Sequence, residues 1–170
     1  MDYDPTAFGC RCDICPLQGK TPCPPEERED ALLLAIAEAP GQIEVQAGRP
    51  LVGASGQEFT LALREAGVRR EQVSTSNALL CRSPYDLRRL MRGVKAPMVN
   101  PIEACRPRLL VEVGRAKALL VMGAVAWSSL TQAPLEAEHT DTDGEDDGTE
   151  GRGQSGMMRS RGFPMTLLGK

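Results

Sequence analysis

An unbroken apolar run, Leu32-Leu33-Leu34-Ala35-Ile36, gives way within five residues to Glu38, Pro40 and Gly41, and this succession restricts the chain to few folds. A short run without polar alternation is the pattern of a parallel strand covered on both faces. Pro40 fixes its own φ and Gly41 carries no side chain, so the turn is tight and its backbone can lie against a ligand. Open parallel sheets bind ligands at the carboxyl ends of their strands. Glu38, at that end, is a candidate site residue, and Ala39, Pro40 and Gly41 are candidate backbone contacts. Downstream, Gly53, Ser55 and Gly56 place backbone N–H groups at an expected helix start, where a phosphate can dock.

The rest of the chain alternates in the same style. Ser55 with Glu58 has the spacing of a capping box, Phe59, Ala62, Leu63 and Ala66 share one helical face, and Gly67 supplies the stop. Residues 73–80 read as a second strand that carries Asn77 and then Cys81 toward its end, before Ser83-Pro84 and a basic loop or short helix. Asn100, Pro101 and Glu103 have the form of an N-cap, a first-turn proline and a capping partner, with Ile102, Cys105 and Leu109 on one face of the helix that follows. A third strand is expected over 118–122, a last helix from Gly123 through Leu130, and a fourth strand over 165–168. Strands alternating with helices point to an α/β fold, three α/β/α layers around a central parallel four-stranded sheet.

At 170 residues, 41% hydrophobic and 25% charged, the expectation is one domain over 1–170 with an ordinary core. Residues 1–30 lack periodicity and read as a cysteine-rich arm that needs a metal or the main body to order it. Residues 132–162 are dense in Asp, Glu, Gly, Thr and Ser, as expected of a disordered acidic insertion; the single histidine, His139, falls there as a solvated loop residue. The net charge of −3 conceals a basic stretch, because positions 81–117 hold nine Arg and Lys against three acids. Such a surface suits a phosphate backbone, or is simply a solvated helix face. No apolar run reaches membrane-spanning length and the amino terminus lacks the form of a signal peptide, so the expected location is cytoplasmic, with no membrane partner. Six cysteines in that compartment suit a metal site or free thiols better than disulfides.

Five separated motifs agree with one another: Cys12-x-x-Cys15, Glu38-Ala-Pro-Gly-Gln-Ile-Glu44, Gly48-Arg-Pro-Leu-Val-Gly53 with Gly56 beyond, Ser76-Asn77-Ala-Leu-Leu-Cys81-Arg82, and Glu103-Ala-Cys105-Arg-Pro107. In order and spacing the set closely resembles the family 4 type of uracil-DNA glycosylase, which includes related domains attached to phage DNA polymerases. The likeness runs over 8–130, with a weaker echo at 159–168. It implies a uracil-DNA glycosylase-like fold, DNA as partner, a DNA polymerase or replication protein as a further partner, and a monomer.

The resemblance also implies a [4Fe-4S] cluster held by Cys12, Cys15, Cys81 and Cys105, thiolates being the usual ligands of such clusters. Two alternatives stay open: four reduced thiols, or a zinc ion held within the arm by Cys10, Cys12, Cys15 and Cys23. For the reaction, Glu38 matches the acidic position that orients a water or opposes positive charge on the sugar, and Asn77 matches the asparagine that reads the base through its donor and acceptor. Glu44 matches a second acidic position with a supporting role. Taken singly, Glu38 and Asn77 are also ordinary turn residues, and Ser55 an ordinary cap.

Two departures from the family pattern bear on activity. Leu51 stands where the family carries an aromatic residue that stacks on the flipped uracil, a contact worth roughly 1 to 3 kcal/mol. The family's His-Pro motif, a preorganised donor worth roughly a hundred- to thousandfold in rate, has no match before Lys170, so the expected fold lacks the family's carboxyl-terminal part. The leading expectation is base excision by hydrolysis of the N-glycosidic bond of uracil in DNA. The alternatives are a noncatalytic DNA-binding domain of a phage-type replication or repair assembly, or a zinc-stabilised nucleotide-binding domain.

Overall fold

The computed structural model describes residues 3–83 and 99–132. The apolar run becomes β1, Leu33–Ala37, whose three central residues are buried. It lies between β2, Val73–Asn77, and β3, Leu119–Val121, in a parallel sheet of order β2-β1-β3. Ala37 is in register with Asn77, and Ile36 with Val121. The expected fourth strand at 165–168, most of the basic loop, most of the acidic insertion and His139 lie outside the described residues.

Helices cover both faces. Helix α2, Ala54–Glu65, turns Phe59 and Leu63 onto Ala35 and Val73 on one side. On the other side Leu34 and Ile36 meet Leu109 of α3, Pro101–Arg115, and Ala126 of α4, Ala124–Thr131. Odd and even positions of β1 thus face different layers, the α/β/α arrangement expected from the alternation. Gly67, at φ 70°, ends the α2 segment as expected. Asn100 caps α3 by accepting from the Ile102 N–H at 2.8 Å, with Pro101 in the first turn.

Three local expectations are corrected. Ser55 does not cap α2: Gly53 occupies the cap without a side-chain bond, and Ser55 lies inside the first turn, exposed. Ala62 and Ala66 are exposed, leaving Gly56, Phe59 and Leu63 as the buried stripe. The turn after Glu38 leads at once into a short helix that the sequence reading missed, α1, Gln42–Ala47.

The amino-terminal arm is ordered by the main body. Glu26 pairs antiparallel with Thr75, the two residues exchanging N–H···O bonds of 2.8 and 3.0 Å, so the arm covers the free edge of β2. Farther up, Cys23 N–H donates to Leu80 O at 2.8 Å and Leu17 enters a core with Leu79, Ile102 and Val125. The Glu26 carboxylate collects Arg28, Arg49 at 2.8 Å and Arg70 at 3.6 Å. Among the described residues no helix is long and apolar enough to cross a membrane.

Candidate active site and thiol-lined cavity

Strand β2 reads Val-Ser-Thr-Ser-Asn and every residue in it is buried, an unusual load of polar side chains for a strand interior. Burial of polar groups requires partners, and three of the four have them. Ser74 Oγ accepts from Arg28 N–H at 2.9 Å, Thr75 Oγ1 from Arg70 at 3.2 Å and Ser76 Oγ from Arg108 at 2.8 Å. Asn77 is the exception: it is 2% exposed, and among the described residues its Nδ2 has no partner. This amide donor is buried at the carboxyl end of a parallel strand, the end at which open α/β sheets bind ligands.

Glu38 follows the Ala37–Asn77 pair and is exposed, its carbonyl accepting from Leu79 N–H at 2.9 Å. The register therefore puts Glu38 and Asn77 at the same end of neighbouring strands. Pro40 is buried and Gly41 exposed, with Ala39 packed against the Leu17 core.

Glu44 ties this turn to the glycine-rich segment. Its Oε1 accepts from the N–H groups of Gly53 at 2.7 Å and Val52 at 3.2 Å, and the residue is 9% exposed. A Cβ at Gly41 would lie 2.7 Å from Oε2, and one at Gly53 2.9 Å from Oε1. Both glycines are therefore shaped by the carboxylate between them, which explains their absent side chains without a ligand. Gly56 is fixed in the same way, since a Cβ there would overlap the Leu51 carbonyl. Leu51 itself adopts a left-handed φ of 55° and turns its side chain into the core with Phe59, Leu63 and Val73. At 8% exposure it offers a base little surface.

Five of the six cysteines converge elsewhere on the same side of the sheet: Cys10, Cys12, Cys15, Cys81 and Cys105 line one cavity of about 320 Å³. None of the six is in a disulfide. Pro22 bridges to Cys81, and Arg11 N–H donates to Ala104 O at 3.0 Å, so the arm brings its thiols against those of β2's extension and α3. Cys23 is apart, its thiol donating to Glu44 O at 3.6 Å, and the arm-only zinc set is not assembled. Among the described residues no three His, Cys, Asp or Glu side chains are close enough to hold a single ion. A single zinc ion, with Zn–S bonds of roughly 2.3 Å, demands a tighter set than these thiols form.

Burial raises most of these thiols. Burial and then the neighbouring Cys105, Cys15 and Cys12 push Cys81 up to about 12. Cys12 and Cys15 are raised as well, chiefly by burial. Cys105 is the exception, lowered by a hydrogen bond from Cys10 and, against its own burial, by the Arg108 guanidinium. Thiolates that penalise one another are relieved by positive charge placed between them.

The sequence reading missed Arg108, Glu112 and the placement of Cys10. Arg108 is 1% exposed and Glu112 8%. Their i,i+4 spacing was legible as an ion pair, but not that it would be buried.

Residues 24–161 match the family model of the Uracil DNA glycosylase superfamily. Over 125 residues the chain is 34% identical to a type-4 uracil-DNA glycosylase of Pyrobaculum aerophilum, an overlap of 71% of this chain and 60% of that protein. A type-4 uracil-DNA glycosylase of Thermotoga maritima is 33% identical over 122 residues, 69% of this chain and 59% of the relative. That of Archaeoglobus fulgidus is 38% identical over 90 residues, 51% and 45%. The chain thus spans about three-fifths or less of the length of these curated relatives.

Proposed function

The chain belongs to the uracil-DNA glycosylase superfamily, with type-4 enzymes among its relatives, and from that premise we propose that it hydrolyses the N-glycosidic bond of uracil in DNA. The observation that carries this reading is the buried Asn77 amide without a partner, at the strand end beside Glu38. Uracil drawn out of the base stack presents O4 as an acceptor and N3–H as a donor, and one carboxamide matches both. Asn77 Nδ2 donates to O4 while Oδ1 accepts from N3–H. Cytosine offers an amino donor at the O4 position and would leave Nδ2 unpaired, a costly mismatch in a dry site.

Glu38 supplies the carboxylate for the sugar. As the C1′–N1 bond breaks, the bonding pair leaves with the uracil anion and positive charge develops on C1′ and O4′. Glu38 opposes that charge and orients the water whose oxygen bonds to C1′; the water's second proton passes to solvent. The backbone of Ala39, Pro40 and Gly41 walls the base, and Glu44 keeps that wall joined to Gly53. Ser55, in the exposed first turn of α2, is where a DNA phosphate docks. Leu51 plays no stacking part in this reading.

Cys12, Cys15, Cys81 and Cys105 would hold a [4Fe-4S] cluster, which would brace the arm against the extension of β2 and α3. A monomer acting on DNA, alongside a DNA polymerase or replication protein, completes the reading. The relatives are glycosylases by name, which gives no support to a noncatalytic DNA-binding domain.

The test is release of uracil from a single-stranded uracil-containing oligonucleotide by anaerobically purified protein. Release that is lost in Glu38→Ala and Asn77→Ala supports the assignment. No release from folded, iron-loaded protein refutes it.

A further inference from the structure

The buried guanidinium of Arg108 holds three consecutive residues of the strand end. Its Nη1 donates to Ser76 Oγ at 2.8 Å and to both Glu112 oxygens at 2.9 and 3.1 Å. Its Nη2 donates to the carbonyls of Asn77 and of Ala78, the latter at 2.9 Å. Asn77 is the middle residue of the three. Because its Nδ2 makes no bond among the described residues, that donor's position is inherited from the backbone on which it stands. Past Asn77 the N–H groups of Ala78 and Leu79 still donate to Ala37 O at 2.7 Å and Glu38 O at 2.9 Å, so Arg108 holds the carbonyl side of a strand end whose N–H side is tied to β1.

We propose that Arg108 is a positioning residue for uracil recognition, clamping the backbone of residues 76–78 so that the Asn77 carboxamide is presented to the base in one orientation. This rests on the reading of Asn77 as the base-recognition residue. Glu112 is the counter-ion that lets the guanidinium remain charged in a dry site, and its two oxygens fix the plane of the fork. Lysine keeps the charge but cannot reach Ser76, two carbonyls and a carboxylate from one planar group.

The decisive variant is Arg108→Lys, compared with Asn77→Ala and with the double variant. A misplacement of the recognition group by about 1 Å costs on the order of a hundredfold in rate, so kcat for uracil release is expected to fall about that far. Inhibition by free uracil should weaken with it, while affinity for an abasic-site oligonucleotide stays at the wild-type level. A purely structural defect would move all three together. Because Arg108 acts through Asn77, adding Arg108→Lys to Asn77→Ala should cost less than about twofold more. Losses that multiply overturn the proposal, as does an unchanged kcat in Arg108→Lys.

Amide hydrogen exchange of the peptide spanning 76–80 decides the clamp independently of activity. It should accelerate in Arg108→Lys while peptides of α2 keep their protection. Unchanged exchange overturns the proposal. If the wild-type protein releases no uracil, the functional reading fails, and exchange still reports whether Arg108 holds the strand end. Should Arg108→Lys not fold, Arg108→Met with Glu112→Leu removes the charge pair together and preserves packing volume. The same measurements then apply.

Discussion

Replacing Glu44 separates a supporting carboxylate from a catalytic one. In the structure its Oε1 accepts from two backbone N–H groups, at 2.7 Å from Gly53 and 3.2 Å from Val52. Hydrogen bonds to a charged acceptor contribute roughly 1.5 to 3 kcal/mol each. Glu44→Ala removes both, and water can enter part of the vacated space because the side chain lies at the edge of the buried class, 9% exposed. The expected loss is about 4 kcal/mol, a large share of the roughly 5 to 15 kcal/mol that stabilises a domain. Glu44→Gln keeps a neutral acceptor at Oε1, so each bond falls to roughly 0.5 to 1.5 kcal/mol and the loss to about 2 kcal/mol. Urea unfolding with a constant slope measures both. In each variant uracil release should fall in step with loosening of the 41–53 segment, and Glu44→Gln should retain most of it at low temperature. If Gln costs as much as Ala, or if both cost under about 1 kcal/mol, the carboxylate is not what joins the two turns. A Glu44→Gln protein of full stability and no activity would instead make Glu44 a catalytic group.

The remaining expectations concern the site, the packing and the thiols. Gly56→Ala drives a methyl into the Leu51 carbonyl and should cost at least about 3 kcal/mol in urea unfolding; a neutral result would show that α2 and the 51–53 segment separate easily. Asn77→Asp should lower uracil release about a hundredfold or more, since a carboxylate cannot donate to O4, and steady-state kinetics on one oligonucleotide would show it. Anaerobically purified protein should carry about four irons per chain, retained in Cys23→Ala and lost in Cys81→Ala by metal analysis; the reverse pattern sinks the ligand set. Burial, reinforced by Glu44, pushes Cys23 from 9.0 up to about 11. The folded state then keeps a proton that the unfolded chain gives up, so this contribution to stability is intact below pH 9 and lost as pH rises from 9 to 11. Cys23→Ala should flatten that part of the alkaline decline in urea midpoint, and identical curves would remove the assignment.

The elements that position the site were legible because each rests on local chemistry. An apolar run without alternation marked β1, Asn100-Pro101 marked the start of α3, and both appear as read. Glu38 and Asn77 were placed at strand ends by the same reading, and the Ala37–Asn77 register makes those ends neighbours. What escaped the sequence was contact over distance. The Ser55-Glu58 spacing looked like a cap, yet Glu44, nine residues before Gly53, accepts the N–H of the helix cap residue. Leu51 matches the position of the family's stacking aromatic, and nothing in its sequence signals the left-handed backbone that packs its side chain with Phe59. The arm had no periodicity because its order comes from two isolated bridges, Pro22 to Cys81 and Glu26 to Thr75, and a buried leucine, none of which leaves a repeat.

Helix α3 shows why a protein would keep so polar an interior. Cys105, Arg108 and Glu112 follow one another at spacings of three and four, so they share the face that also buries Ile102 and Leu109. A buried ion pair is seldom the most stable filling for such a face, since desolvating both charges offsets much of their attraction. Apolar residues of equal volume would pack there at no such cost, but they would leave the Asn77 and Ala78 carbonyls without the donors they now share. The guanidinium is therefore explained by the strand end it reaches rather than by the helix it belongs to. The same fork lies beside Cys105 and lowers its pKa, so one residue links a thiol of the cavity to the strand that carries Asn77. Displacing the arm thiols should consequently disturb Asn77 through α3, while changes at Glu26, on the far edge of β2, should leave it in place.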